Sequence, residues 1–115
     1  MRVAVVGSRS ISEIDIDRYV SEADEIVSGG AIGVDRCAAE YARRKGLLLT
    51  EFMPKYDLFG RAAPIVRNKE IVDYADKVIV FWDGASRGAL SVIKYAEKTG
   101  KPCEVILCER KKDLA

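Results

Sequence analysis

A glycine-rich turn between a short strand and a helix is the part of the sequence that points most directly to chemistry. Ser28, Gly30 and Gly33 occupy the three positions of a G-x-G-x-x-G fingerprint, with serine in place of the first glycine and Gly29 added. Glycines there let a phosphate approach the backbone, and the helix N-terminus that follows offers free N–H groups to it. A plain tight turn would also favour glycine, because glycine adopts positive φ angles. Three glycines within five residues exceed that need, so the turn predicts a phosphate or nucleotide site.

A second loop of the same kind follows the predicted fourth strand. It consists of Asp83, Gly84, Ala85, Ser86, Arg87 and Gly88, and it also leads onto a helix N-terminus. Two such loops in one short chain favour an anion site between them. Arg9 and Arg87 would bring the matching positive charge to that site.

Three further polar residues are candidates for ligand contacts. Asp35 lies in the first turn of the helix after the glycine turn, where the helix dipole favours a carboxylate even without a function. Since a carboxylate repels phosphate, a ligand role for Asp35 means bonding a ribose, a base or a neighbouring arginine. Asn68 shares a helical stripe with three apolar residues, which makes it a buried hydrogen bonder or a ligand contact. Arg67 beside it offers a fork for a phosphate, although charged residues commonly lie on a solvated face.

The composition excludes several classes of enzyme and site. The chain has 115 residues and a formal net charge of +1, so we expect one domain without strong attraction to nucleic acid. It has no histidine, which excludes Ser-His-Asp and Cys-His catalysis and histidine-bearing zinc sites. Cys37, Cys103 and Cys108 form no CxxC pair, and their odd number is typical of a cytoplasmic protein with buried thiols. The apolar runs are about five residues long, which is too short to cross a bilayer. No motif of the sequence requires a cofactor or a metal.

Periodicity and turn signals predict strands that alternate with helices. The predicted strands cover residues 2–7, 25–28, 47–52, 77–82 and 103–107. The predicted helices cover residues 12 to about 23, 34–45, 64 to 74 or 75, and a segment that follows an N-cap at Ser86 and ends at Thr99. The first helix rests on Ser12 and Asp15, which have the spacing of a capping box. Residues 53–63 are predicted to form a long loop.

These elements predict a single α/β domain over residues 1–115. It is a Rossmann-like, doubly wound domain with about five mostly parallel strands and helices on both faces, and residues 109–115 form a polar tail. In such sheets, ligands bind beyond the carboxyl ends of the strands, where the strand order reverses. That rule brings Gly7, Ser8 and Arg9 to one edge with the two glycine-bearing loops. Trp82 ends the fourth strand, so its indole either borders the pocket and stacks on a base or fills the core beneath a helix.

The motifs resemble those of the SLOG superfamily, a Rossmann-like group. Its members include the DNA-processing protein A family, the cytokinin-activating phosphoribohydrolases and the small YspA/YpsA-related proteins. The resemblance covers nearly the whole chain and rests on residues 5–9, 28–35, 67–68 and 81–88, the last two stretches being most similar to the YspA type. It implies a nucleotide-derived ligand held by these loops. The cleavage motif of the phosphoribohydrolases has threonine and glutamate where this chain has Ala89 and Val92, so the resemblance does not extend to that mechanism.

Three functional hypotheses follow from the residues and the resemblance. The first is a cytoplasmic sensor or binding protein for a nucleotide or a nucleotide-derived small molecule. The second is hydrolysis of an N-glycosidic or phosphate bond with Asp35, Asp83 or Glu51 as the acidic group. The third is weak single-stranded nucleic-acid binding by oligomers of this domain. We expect a homo-oligomer without membrane association, and no catalytic residue is assigned.

Overall fold

The computed structural model of the chain describes residues 1–8, 10–11, 14–30 and 33–108. Within these ranges five strands form one sheet: β1 (Arg2–Gly7), β2 (Glu25–Ser28), β3 (Leu48–Glu51), β4 (Lys77–Trp82) and β5 (Cys103–Leu107). The helices are α1 (Val34–Lys45), α2 (Tyr56–Phe59), α3 (Ala63–Tyr74) and α4 (Arg87–Thr99), with a 3-10 turn at Gly60–Ala62. The strand order is β3-β2-β1-β4-β5, and every neighbouring pair is parallel. This architecture confirms the predicted doubly wound, Rossmann-like α/β fold.

Apolar side chains from both faces of the sheet form two cores. The central strands β1 and β4 carry unbroken apolar runs, as expected of strands that are covered on both sides. On one face, Val5 and Phe81 pack with α1 and with the segment between β1 and β2. On the opposite face, Val80 packs with α3 and α4. The helices therefore lie on both faces, as predicted.

The ends of the long helices follow the predicted capping signals. Gly46 and Gly100 adopt the left-handed conformation that ends α1 and α4. The Ser86 side chain accepts a hydrogen bond from the backbone N–H of Ala89 and caps α4. Pro64 lies in the first turn of α3, where its missing N–H leaves no hydrogen bond unmade.

The helix predicted over residues 12–23 is wrong for the described part of that segment. Residues 14–23 contain turns and no helix, and two hydrogen bonds, Tyr19 N to Ile16 O and Ala23 N to Val20 O, close turns of the shorter i to i+3 spacing. The buried positions of Ile16, Val20 and Ala23 satisfy the apolar periodicity without a continuous helix.

A local hydrogen bond explains why the capping-box spacing predicted a helix that does not form. The Asp15 carboxylate accepts from the backbone N–H of Asp17 at 3.1 Å. Asp side chains that bond nearby backbone in this way favour turns over helix. Ser12, the other half of the predicted capping box, lies outside the described residues.

Several smaller expectations are also corrected. The predicted loop over residues 53–63 contains α2 and the 3-10 turn, and β3 is shorter than predicted. The thiols of Cys37, Cys103 and Cys108 are half-buried rather than buried, because β5 is an edge strand and Cys37 lies at the margin of its core. Partial burial raises the pKa of Cys103 and of Cys108. The predicted tail, residues 109–115, lies outside the described ranges, and no described helix is long and apolar enough to span a membrane.

The close approach of α1 to β1 requires a glycine at the end of the strand. A Cβ built on Gly7 would lie 2.3 Å from Cγ2 and 2.4 Å from Cβ of Val34, the first residue of α1. Neither atom belongs to a long flexible side chain that could swing away. A substitution at Gly7 would therefore push the helix off the sheet.

We expect Gly7→Ala to destabilise the fold by roughly 1–3 kcal/mol, as overpacking of a core does. This corresponds to a fall in melting temperature of about 5–15 °C, measurable by thermal unfolding. Gly88→Ala is the control, because a Cβ on Gly88 would meet its nearest atom at 4.0 Å. If Gly7→Ala has the same melting temperature as the wild type, the proposed contact with Val34 is wrong.

At the amino ends of the strands, Asp76 ties β1 to the end of α3. Its carboxylate accepts from the backbone N–H of Arg2 at 2.7 Å, and the Arg2 guanidinium lies 3.6 Å away. The hydrogen bond from the Arg2 backbone is the largest cause that lowers the pKa of Asp76 below its ordinary value of 3.8. A carboxyl group whose pKa is lowered by folding stabilises the fold at pH values above its ordinary pKa. This stabilisation is lost as the pH falls through the pKa of the group in the folded state.

We therefore expect Asp76→Asn to melt below the wild type at pH 7, with the difference shrinking as the pH falls below 3.8. Melting temperatures between pH 7 and pH 2 measure this convergence. The matched control is Asp57→Asn, the same substitution at an exposed residue of α2. A difference for Asp76→Asn that stays constant with pH would contradict the assignment.

Candidate ligand-binding site

An open cavity of about 410 Å³ lies at the carboxyl ends of β1, β2 and β4. The chain reaches this edge from both faces, because the segment after β1 packs on one face and α4 on the other. The apolar side of the lining comes from Val6, Pro64, Ile71 and Ala89. The polar side comes from Ser10, Asp35, Arg67, Asn68, Asp83 and Ser86, and three glycines, Gly7, Gly29 and Gly88, complete it. This edge is where the strand order reverses, as predicted.

The predicted site residues divide into those that line the cavity and those that lie outside its lining. The lining includes Gly7, Gly29, Asp35, Arg67, Asn68, Asp83, Ser86 and Gly88. Ser8 and Ser28 are buried and are not part of the lining. Among the described residues, Gly30, Gly33, Trp82, Gly84 and Arg87 lie outside the lining. Arg9 lies outside the described ranges.

Asp83 organises the loop between β4 and α4. One carboxylate oxygen accepts from the backbone N–H groups of Ala85 and Ser86, at 2.9 and 2.8 Å. The other accepts from the hydroxyl of Ser10 at 2.6 Å, which joins this loop to the end of β1. The backbone N–H of Asp83 in turn donates to the buried Ser8 hydroxyl at 3.1 Å. These bonds hold the ends of β1 and β4 together and support a structural role for the carboxylate.

In the glycine turn after β2, Gly29 and Gly30 face different neighbours. A Cβ on Gly29 would lie 2.6 Å from Nη1 of Arg67 and 3.3 Å from Oδ2 of Asp35, so this residue faces the polar side of the cavity. Gly30 has a positive φ of 70°, and a Cβ there would lie 2.5 Å from the sulfur of Met53. The structure therefore places Gly29, rather than Gly30, where the backbone comes closest to the cavity.

The other end of the turn begins α1 without a side-chain cap. Gly33 adopts a φ of 77° at the N-cap position, a conformation that glycine adopts without strain. Its carbonyl accepts from the backbone N–H of Cys37 at 3.1 Å. The Ser28 hydroxyl accepts from Gly30 N at 3.4 Å and supports the start of the turn.

Arg67 extends from α3 to the ends of two strands. Its Nη1 donates to the carbonyl of Gly29 at 3.0 Å and to that of Phe52 at 3.4 Å. Its Nε donates to the side-chain oxygen of Asn68 at 2.9 Å. The guanidinium is half-buried, and its acceptors are neutral oxygens. A cation in such a position can bind an anion without first breaking an ion pair.

Trp82 and Arg87 lie beside the cavity rather than in its lining. The half-buried Trp82 packs against the core between the sheet and α4, and its Nε1 donates to the carbonyl of Ser86 at 3.0 Å. This placement favours the packing alternative for the indole. Arg87 is exposed in the first turn of α4. Gly84 has a φ of 84°, and a Cβ there would approach Leu107 of β5 rather than the cavity.

Some lining residues were missed because only tertiary packing brings them to the edge. Pro64 and Ala89 enter through the facing first turns of α3 and α4. Ser10 had a usable signal, since it is a hydroxyl residue three positions after a predicted strand end and is expected at the same edge as a loop that begins with a carboxylate. Within the described ranges, no three side chains of His, Cys, Asp or Glu are grouped to hold a metal ion.

The hydrogen bonds of Asp83 predict a difference between two substitutions. Asp83→Ala removes the acceptors of Ala85 N and Ser86 N and should destabilise the fold by roughly 1–2 kcal/mol. Asp83→Asn keeps an acceptor for both N–H groups and should melt closer to the wild type. Amide hydrogen exchange at Ala85 and Ser86 should accelerate in the alanine variant only. Exchange in Asp83→Ala at the wild-type rate would show that the carboxylate does not hold this loop.

Sequence comparisons do not assign the chain to a family. No protein-family model matches the chain, and no curated protein matches it. The resemblance to the SLOG superfamily therefore remains a prediction, and the function is inferred from the geometry of the cavity.

Proposed function

We propose that this chain is a SLOG-type binding protein whose cavity holds a nucleotide or a nucleotide-derived small molecule. The cavity lies where doubly wound sheets bind their ligands, at the edge beyond β1 and β4. Its volume of about 410 Å³ falls within the range of roughly 300–1,000 Å³ that is usual for small-molecule sites. The proposal assigns the ligand's phosphate to Arg67 and its flat or apolar part to the opposite side of the lining.

The guanidinium of Arg67 is the observation that carries the proposal. Its three N–H···O bonds end on two backbone carbonyls and one amide oxygen. Of the ion pairs between described residues, none includes Arg67. A guanidinium has five N–H donors, so its second terminal nitrogen keeps two for a ligand. A phosphate oxygen is a suitable acceptor for these charged donors, because charge-assisted hydrogen bonds are shorter and stronger than neutral ones.

The remaining lining supports a ligand with both polar and apolar parts. Pro64, Ile71 and Ala89 offer an apolar surface for a base or a sugar ring. Asp35 lines the same cavity from the first turn of α1, where a carboxylate can accept hydrogen bonds from ribose hydroxyls. The two carboxylates of the lining, Asp35 and Asp83, favour a small ligand over the phosphate backbone of a nucleic acid.

The placement of the acidic groups supports binding over hydrolysis. Val92, at the position of the glutamate in the phosphoribohydrolase motif, is fully buried in the core. Glu51 lies beside Gly30, outside the lining as far as the described residues show. Both oxygens of Asp83 already accept hydrogen bonds, one from Ala85 N and Ser86 N and the other from the Ser10 hydroxyl. General acid–base catalysis needs a positioned group that is free to exchange a proton with the substrate.

Titration calorimetry with AMP, ADP-ribose and a dinucleotide tests the proposal. We expect saturable binding of at least one of them, and Arg67→Gln should weaken it by about tenfold or more because a charge-assisted hydrogen bond is lost. Arg67→Lys keeps the charge but not the positioned guanidinium donors and should bind with intermediate affinity. Arg43→Gln, an equal change of charge in the last turn of α1, should leave the affinity unchanged.

Two results would overturn the proposal. One is the absence of binding across the panel at millimolar concentration together with native mass spectra of freshly purified protein that carry no nucleotide mass. The other is binding that Arg67→Gln leaves intact, which would move the phosphate site elsewhere. Release of a free base or of phosphate from the bound nucleotide would favour the hydrolase hypothesis instead.

A further inference from the structure

We infer that Asn68 and Ser91 are positioning residues that fix the guanidinium of Arg67 through neutral hydrogen-bond partners. The inference deepens the proposed function and rests on it for the identity of the ligand. The hydrogen-bonded chain through Asn68 and Ser91 to the start of α4 is a feature of the described residues themselves.

The chain of hydrogen bonds crosses from α3 to α4. Nε of Arg67 donates to Oδ1 of Asn68 at 2.9 Å. Nδ2 of Asn68 lies 3.2 Å from the hydroxyl of Ser91 and 3.5 Å from the carbonyl of Gly88. The Ser91 hydroxyl donates to that same Gly88 carbonyl at 2.7 Å. The position of Arg67 is thus tied to the first turn of α4.

The donor and the acceptor of each hydrogen bond in this series follow from Arg67, at its start. A guanidinium donates hydrogen bonds and accepts none, so the side-chain oxygen of Asn68 must face Arg67. The amide nitrogen then faces α4 and needs acceptors, which Ser91 and Gly88 supply. Because the Ser91 proton is directed to the Gly88 carbonyl, the serine oxygen is left to accept from Asn68. The asparagine amide meets both requirements, since its oxygen accepts on one side and its nitrogen donates on the other.

Two carbonyls hold the guanidinium from the opposite side. Nη1 of Arg67 donates to Gly29 and to Phe52, the residues that follow β2 and β3. Together with Asn68 they hold the guanidinium at both Nε and Nη1, which determines the orientation of its plane. A side chain ordered before binding loses less conformational entropy when the ligand arrives. The arrangement therefore directs the remaining terminal nitrogen of Arg67 without help from a ligand.

An asparagine at position 68 also preserves the charge of Arg67. An aspartate there could still accept from Nε, but it would form an ion pair and compete with any anionic ligand for the guanidinium. It would also present a carboxylate oxygen to the Gly88 carbonyl, which has no proton to offer. We therefore identify the amide as the group that makes Arg67 both ordered and available.

The test compares Asn68→Asp and Ser91→Ala with matched controls, using AMP as the probe in titration calorimetry. We expect Asn68→Asp to weaken AMP binding by about tenfold or more, because the aspartate pairs with the guanidinium and competes with the phosphate. Thermal unfolding checks that this variant is folded. Ser91→Ala should weaken binding by about two- to fivefold, and Ser91→Thr, which keeps the hydroxyl, should restore it. Lys94→Gln makes the same change of charge on α4, and Thr99→Ala removes a hydroxyl that bonds only the last turns of that helix. Both controls should bind like the wild type.

A second readout needs no ligand and separates this inference from the proposed function. In NMR spectra of the free protein, the Nε–H of Arg67 should exchange slowly with water, and Asn68→Ala should accelerate that exchange about tenfold or more. Unchanged exchange in Asn68→Ala would overturn the inference, and so would AMP binding by Asn68→Asp at wild-type affinity. If the wild type binds no AMP, ADP-ribose or dinucleotide, the proposed function fails, and the Nε–H exchange alone decides whether Asn68 positions Arg67.

Discussion

Strand β4 pairs with β1 rather than with β3, the strand that precedes it along the chain, and the carboxyl edge of the sheet is organised by that pairing. The register sets Gly7 opposite Phe81, and the ladder continues through a bond from Ser8 N to the Phe81 carbonyl. The chain therefore leaves β1 and β4 at neighbouring points of this edge. The segment after β1 turns to one face of the sheet, and α4, which follows β4, packs on the other. The gap between the departing segments becomes the cavity, and the bonds of Asp83 to Ser8 and Ser10 keep the two strand ends at a constant distance across it.

The same topology explains how a cation comes to lie at this edge. Where a parallel strand ends, its last backbone carbonyls no longer have a hydrogen-bond partner within the sheet. Buried carbonyls need a hydrogen-bond donor from elsewhere. Arg67 supplies donors to the carbonyls of Gly29 and Phe52, just past β2 and β3. Packing of Ile71 and Val72 against the sheet holds α3 in the orientation that allows this reach. The contact that satisfies the strand ends thus also places a positive charge at this edge of the sheet.

The strands, the long helices and most of their ends could be predicted because local signals determine them. Valine-rich runs gave β1 and β4, and Gly46, Ser86 and Gly100 gave the helix ends. The segment after β1 could not be predicted in the same way, because its apolar spacing fits either a helix or successive turns, and the Asp15 carboxylate favours turns. In the site, Arg67 and Asp83 were predicted from their residue types and positions. Ser91 was not, because its role depends on the packing of α3 against α4, which no local pattern records.

In the proposed function, a nucleotide-derived ligand binds at the carboxyl edge between β1 and β4, beside Arg67. Mapping amide chemical-shift changes by NMR during titration with AMP or ADP-ribose tests that location most directly. We expect the largest changes at Gly29, at the first turn of α3 and from Asp83 to Gly88, with little change at the amino edge around Arg2 and Asp76. Saturable changes centred at the amino edge or on the outer face of α1, with the residues around Arg67 unaffected, would contradict the claim.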